Sequence, residues 1–330
     1  LNLPQRIELL VQLGEYLLSD EPAWLQAQER AHHENGWFVP VFIRQSVQAL
    51  VHSYLRRPAL EAFAASYPVA QATSNKTVGL VMAGNVPLVG FHDLLCGWLA
   101  GHRLRIKPSS KDTVLMQHVI DFLQQRSQEP LLETAEQLKG CDAYIATGSN
   151  NSSRYFEYYF KAYPSIIRRN RTSMAILTGH ETAADLKALS ADLLQYFGLG
   201  CRNVSKLLVP EGYDFIPLLQ AMEPWRWMAD HHKFRNNYDY NLALHILNKQ
   251  YYLTNGIVLL VESEQLYSPI GQVHFSYYRS LPRADALRQQ YADQLQCLVG
   301  AGGQPFGSTQ QPALTDFADG VDTMQFLTSL

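Results

Sequence analysis

The sequence predicts an α/β protein of two lobes, each a parallel sheet covered by helices, behind an all-helical lead-in. Three patterns carry that expectation. From Lys76 onward short apolar runs alternate with amphipathic stretches, the same texture starts afresh after Ile166 and Ile167, and residues 1–70 show helical periodicity alone. Strands that recur between helices pair in parallel and are buried on both faces. At 330 residues the chain is long for one domain and comfortable for two.

In the lead-in, Ile7, Leu10, Val11 and the run 13–18 recur at helical spacing, followed by helices over 42–55 and, after Pro58, over 60–65. The first lobe opens with a buried strand at 77–82, then a helix with Pro87 in its first turn and Gly101 past its end. Strand 103–106, helix 113–126, strand 143–146 and helix 152–161 follow. The second lobe repeats the alternation with strand 174–177, helix 183–197, strand 206–209 and helix 215–222, and closes on strands at 257–261 and 272–276. A helix over 284–294 and the apolar run 295–299 are expected to return the chain to the first lobe, and 300–312 reads as loop. The expected division is therefore 1–172, 173–290 and a returning segment 291–330.

A net charge of −3 and a pI near 6.4, with no basic block, exclude the electrostatic footprint of nucleic-acid binding. Cys96, Cys141, Cys201 and Cys297 are scattered, with no CxxC and no Cys/His pairing, so neither a disulfide framework nor a zinc or other metal site is implied. A reducing, cytoplasmic setting fits that usage. Even the run 86–100 carries His92 and Asp93, and nothing approaches the ~18 uninterrupted apolar residues of a membrane span, so no stable membrane insertion is expected.

Chemistry concentrates at strand ends. Cys201 lies on the run Gly198, Leu199, Gly200, Cys201, Arg202, Asn203, where glycine lets the backbone approach a substrate and a loop leaves the sulfur reachable. A lone cysteine is also ordinary core filler. Asn85 follows the first strand; its amide can donate to an oxygen that becomes negative during acyl chemistry, or it can cap the Pro-led helix behind it. Lys107 and Ser109 stand at the end of the second strand, placed for a ribose or a phosphate, although a solvated lysine reads the same way. Thr147, Gly148 and Ser149 form a third strand-to-helix turn, whose N–H groups suit a pyrophosphate. The chain has no GxGxxG, so the usual dinucleotide fingerprint is absent.

In this order AGNVPL, GHRLRIKPSS, IATGSN and GLGCRNVSKLLV resemble the aldehyde dehydrogenase superfamily, over roughly residues 76–310. HHKFRNNYDYN at 231–241, SPIGQV at 268–273 and the terminal QPFGSTQQPALTDFADGVDTMQFL are most similar to the LuxC-type acyl-CoA reductases of that superfamily. The resemblance implies an aldehyde-dehydrogenase-like fold and reduction of fatty acyl thioesters to aldehydes with NADPH, NADH being the alternative. It makes Cys201 the nucleophile, Asn85 an oxyanion donor, Lys107 and Ser109 the adenosine-ribose contacts, and Thr147, Gly148 and Ser149 the pyrophosphate turn.

The departures sharpen that expectation. Where hydrolytic members carry a Glu-Leu-Gly-Gly base, this chain has Arg168, Arg169, Asn170 and Arg171, and without a carboxylate an acyl-enzyme is hard to hydrolyse. The glutamate of the later Glu-x-Phe-Gly-Pro segment is also replaced, in the region of Ser268, Pro269, Ile270 and Gly271. Arg202 and Lys206 are candidates for lowering the Cys201 pKa, and His231, His232, Lys233, Asn236 and Asn237 read as a solvated loop or cap, or as a CoA-phosphate contact or proton shuttle. The expected substrate is acyl-CoA or another acyl thioester, and the expected partner an acyl-transferase or ligase subunit or a second copy. Two other readings stand beside it: an acylating or phosphate-ester semialdehyde dehydrogenase of the same fold, and a non-catalytic scaffold.

Overall fold

The computed structural model describes residues 1–69 and 76–330 and divides into two compact units, Leu1–Asn170 with Gln311–Leu330, and Arg171–Gln310. The first unit begins with four helices, α1 (Leu3–Leu17), α2 (Pro22–Glu34), α3 (Pro40–Tyr54) and α4 (Arg57–Ala65). Each opens on a proline in its first turn, where the missing N–H is no loss and the fixed φ is already helical. Asn2 and Gln5 add a capping box to α1. Gly14 lets α1 approach the end of α3, since a Cβ there would stand 3.0 Å from Leu55 Cβ.

The sheet of this unit runs β1 (Thr77–Val81), β2 (Arg103–Lys107), β3 (Leu132–Thr134), β4 (Ala143–Thr147) and β5 (Ser165–Arg168), all parallel, in the order β3-β2-β1-β4-β5. Helices α5 (Phe91–Ala100), α6 (Thr113–Ser127) and α7 (Asn150–Phe160) connect its strands, and Leu80, Leu94, Leu99, Ile106 and Val119 join the lead-in helices in one apolar core. The helix expected to contain Pro87 begins four residues later, at Phe91. Leu88 takes a left-handed φ of 58°, and its N–H goes to the Asp112 carboxylate at 2.7 Å, so residues 83–90 form a turn. Gly101 ends α5 in the left-handed conformation.

In the second unit β6 (Thr172–Ile176), α8 (Ala183–Leu194), β7 (Val204–Pro210), α9 (Ile216–Ala221), α10 (His232–Leu247), β8 (Leu253–Thr254), β9 (Leu259–Glu262), β10 (Gln272–Tyr278), α11 (Leu281–Gln290) and β11 (Leu295–Gly300) build a sheet of order β11-β6-β7-β10-β9-β8. Only the β8–β9 pair is antiparallel. The run 295–299 is not part of the return to the first lobe: as β11 it pairs with β6, because its alternating apolar residues complete the second sheet's edge. The returning segment is 311–330, which ends in α12 (Thr323–Thr328). His92 Nε2 and His102 Nε2 donate to Leu314 O and Leu327 O, both at 2.9 Å, and Tyr67 Oη donates to Asp322 at 2.9 Å.

Residues 231–237 form neither a loop nor merely a cap. His231 caps α10, accepting from Phe234 N at 3.3 Å, and the following residues are helical. The helix expected at 183–197 stops at Leu194, because Tyr196 and Phe197 are left-handed.

Candidate active site

The carboxyl edge of a parallel sheet is where α/β folds present ligand-binding groups, above all where the strand order reverses. In the first unit that reversal lies at β1, flanked by β2 and β4. Register pairs Val81 with both Lys107 and Ala146, so the turns carrying Asn85, Lys107 with Ser109, and Thr147 with Gly148 and Ser149 leave the sheet at one edge.

Asn85 is half-buried and does not cap α5, whose N-cap is Gly90. Its turn is fixed from three sides. Met82 N donates to Lys107 O at 3.1 Å, Ser46 Oγ donates to Pro87 O at 2.5 Å, and Asp112 holds Leu88 N. At Gly84 a Cβ would stand 2.5 Å from Ser109 Cβ, so only glycine lets the Asn85 turn lie against the Ser109 turn. Lys107 and Lys111 are exposed, whereas Asp112, the acid of this turn, is buried. Burial pushes the Asp112 carboxyl well up against the pull of the Leu88 N–H, and its Oδ1 has no hydrogen-bond partner among the described residues. The exposed charges of this strand end are therefore those of Lys107 and Lys111.

The third turn is built on α7. Ser149 is its N-cap, accepting from Ser152 N at 3.2 Å, and a Cβ on Gly148 would meet Phe156 at 2.8 Å and Ser152 at 2.9 Å. Glycine thus lets the turn close onto the start of α7, where Gly148 N donates to Arg168 O at 3.3 Å. The donors on this edge, two cations, hydroxyls and a glycine-led helix start, suit an anionic, hydroxyl-bearing ligand.

Cys201 lies in the second unit, before β7. All four cysteines are free thiols, and Cys96, Cys141 and Cys297 are buried while Cys201 is partly exposed. Burial pushes the Cys96 and Cys141 thiols up, which suits inert core residues. The Cys201 turn is entered through Tyr196, Phe197 and Gly198, with φ of 55°, 58° and 72°. Left-handed backbone costs a non-glycine residue roughly 1–2 kcal/mol. Phe197 offsets this by full burial, packed 4.4 Å from the His231 ring and against Trp227 and Phe234.

Asn203 closes the turn. Its buried side chain accepts from Gly200 N at 2.8 Å and donates to Asp192 O at 3.1 Å and Gln195 O at 2.9 Å. From β6, Ser173 Oγ donates to Cys201 O at 3.0 Å and accepts from Cys297 N at 3.1 Å. Of the two candidate cations, Lys206 is committed elsewhere. Lys206 is buried, donates to Ser263 O and, at 2.5 Å, to Ser276 Oγ, and burial lowers its pKa to about 8. Arg202 Nη1 is directed at Cys297 Sγ, 3.3 Å away.

Sequence reasoning missed Asn203, Asp192 and Asp112, which support the candidate residues through buried hydrogen bonds. Asn203 stood two residues from Cys201 in the motif, but nothing local marks a side chain that bonds backward to a helix end. The segment 168–171 is committed to structure. Arg168 forms a buried ion pair with Asp93 at 2.5 Å and donates to Thr323 Oγ1 at 2.8 Å, Arg169 pairs with Glu157, and Arg171 donates to Leu295 O at 2.9 Å.

No protein-family model matches the chain, and no curated protein matches its sequence. Its structure resembles those of solved aldehyde dehydrogenases. An NAD+ complex from Bacillus cereus superposes with a TM-score of 0.67 at 12% identity, over 91% of this chain and 72% of that one. An enzyme from Pseudomonas aeruginosa gives 0.66 at 13% over 91% and 72%, and an NAD+ complex from Mycobacterium tuberculosis gives 0.63 at 14% over 91% and 73%. At such identities the likeness is one of fold, and the chain has the aldehyde dehydrogenase fold.

Proposed function

We propose that the protein is a nicotinamide-dependent acyl-CoA reductase of the LuxC type, which reduces an acyl thioester to an aldehyde through a thioester on Cys201. The observation that supports this most is the pairing of an accessible thiol, in a turn fixed by Asn203 and Ser173, with a segment 168–171 that offers no carboxylate to activate water.

In this reading the Cys201 thiolate attacks the acyl carbonyl carbon, a C–S bond forms, and the tetrahedral oxyanion accepts a hydrogen bond from the Cys201 N–H, the Asn85 amide being the second donor that the family resemblance assigns. Collapse expels CoA as a thiolate, which takes its proton from solvent. When bound, the nicotinamide nucleotide supplies the hydride that reduces the acyl carbon. The resulting thiohemiacetal on Cys201 gives up its hydroxyl proton, the C–S bond breaks, and aldehyde and the Cys201 thiolate separate. No step calls for a carboxylate base.

Lys107 and Ser109 would hold the adenosine ribose, and Thr147, Gly148 and Ser149 the pyrophosphate. Lys107 and Lys111 favour the extra phosphate of NADPH, since both are exposed at this turn while its acid, Asp112, is buried. NADH remains the poorer donor. Among the described residues no helix is long and apolar enough to cross a membrane.

The test is direct. Purified protein with acyl-CoA and NADPH should consume the reduced nucleotide and release free CoA and aldehyde, and Cys201→Ala should abolish all three. An unchanged rate in Cys201→Ala overturns the assignment. No consumption across short and long acyl chains overturns the reductase reading.

A further inference from the structure

Asp192 is a second point at which the Cys201 turn is anchored, and its side chain faces a different loop. While its carbonyl accepts from Asn203, its carboxylate accepts from Gly307 N at 2.6 Å, Thr309 N at 3.1 Å and Thr309 Oγ1 at 2.7 Å. The loop 304–309 is tied down nearby: Gly307, at φ 81°, lies so close to α8 that a Cβ would be 3.0 Å from Ala188 Cβ, and Ser308 Oγ donates to Pro305 O at 2.6 Å. Asp192, Asn203 and Thr309 are each nearly inaccessible to solvent. One residue of α8 thus holds the nucleophile's turn through its backbone and a distant loop through its side chain.

We infer that Asn203 and Asp192 are a positioning pair, which locks the Cys201 turn to the loop 304–309 so that a change in that loop is felt at the thiol. The inference rests on the reading of Cys201 as nucleophile for its catalytic consequence, but the mechanical coupling stands on geometry alone. Asn203 is suited to the task because an amide alone supplies both what Gly200 N needs, an acceptor, and what the carbonyls of Asp192 and Gln195 need, a donor. An aspartate there would keep the first contact and set a carboxylate against two carbonyls.

The test combines peptide-resolved amide hydrogen exchange with steady-state kinetics on the full chain. Thr309→Val deletes one hydroxyl from the far loop and touches nothing in the Cys201 turn. It should speed exchange in 304–309 and also in 196–203, each by about threefold or more, as expected for contiguous packed elements. Asn203→Asp should lower kcat by about tenfold to a hundredfold, the cost of a small misplacement of a reacting group, with the KM for NADPH unchanged. Asn203→Ala should do the same, whereas Ser66→Ala, an exposed hydroxyl at the end of α4 in the other unit, should leave both parameters alone.

Faster exchange confined to 304–309 in Thr309→Val overturns the coupling. A loss of thermal stability in both Asn203 variants with kcat per folded molecule unchanged overturns the positioning role and leaves a merely structural one. If the wild-type protein reduces no acyl thioester, the proposed reaction falls, and the exchange measurement still decides the coupling.

Discussion

Replacing Asp93 with alanine isolates the buried ion pair that it forms with Arg168. Arg168 is 3% exposed and Asp93 8%, and their atoms meet at 2.5 Å, so Asp93→Ala leaves a guanidinium buried with Thr323 Oγ1 as its remaining partner from this cluster. Removing one member of a buried pair costs about 3–5 kcal/mol, because the surviving charge stays desolvated. For a unit of this size that corresponds to a fall in Tm of about 6–20 °C. Calorimetry on Asp93→Ala and on the double variant Asp93→Leu/Arg168→Met separates charge from packing. The apolar pair should recover most of the loss and keep reductase activity, since neither side chain takes part in the chemistry. A single variant that loses less than about 1 kcal/mol, or a double variant as unstable as the single, would refute the reasoning.

Two further outcomes follow from the turn that joins β2 to α6. Because burial raises the folded Asp112 pKa, its contribution to stability is complete below the unfolded value of about 3.9 and is lost as pH rises toward the folded one. Asp112→Asn keeps an acceptor for Leu88 N and cannot ionise, so urea unfolding across pH should show the variant gaining on wild type as pH rises; parallel profiles would count against a neutral Asp112. Lys107→Glu should weaken NADPH binding about tenfold more than NADH binding, equivalent to ~1.4 kcal/mol, as measured by nucleotide fluorescence titration. Equal weakening would remove Lys107 from the 2′-phosphate.

The strand-helix alternation was legible because β1 and β4 are short apolar runs and β2 alternates buried Leu104 and Ile106 with basic residues before Pro108, and their turn residues stand at the carboxyl edge where such folds bind ligands. Helix α10 was not legible, because its buried side is Phe234, Tyr238, Asn241 and His245, half of it polar, while Tyr240, Leu244 and Leu247 face solvent. Periodicity in hydrophobicity cannot mark a helix whose inner face is held by hydrogen bonds such as His245 to Gln272 at 2.8 Å and Asn241 to Ile270 O at 3.0 Å. The early end of α8 was hidden for a related reason. Tyr196 and Phe197 continue the apolar pattern of a helix, and only the tertiary nest around Phe197 and the bond from Asn203 to Gln195 O turn the backbone left-handed. Nor does the run 295–299 reveal its sheet locally, since it is the pairing of β11 with β6 that puts it in the second unit.

The central claim is that Cys201 carries the acyl group and passes it to hydride rather than to water. Mixing the protein with acyl-CoA in the absence of reduced nucleotide and reading intact and peptide mass tests it most directly. The account predicts one acyl group per chain, mapped to Cys201, stable over many turnover times and discharged as aldehyde when NADPH is added. An acyl group on another residue, none at all, or one released from Cys201 as free acid without reductant would contradict it.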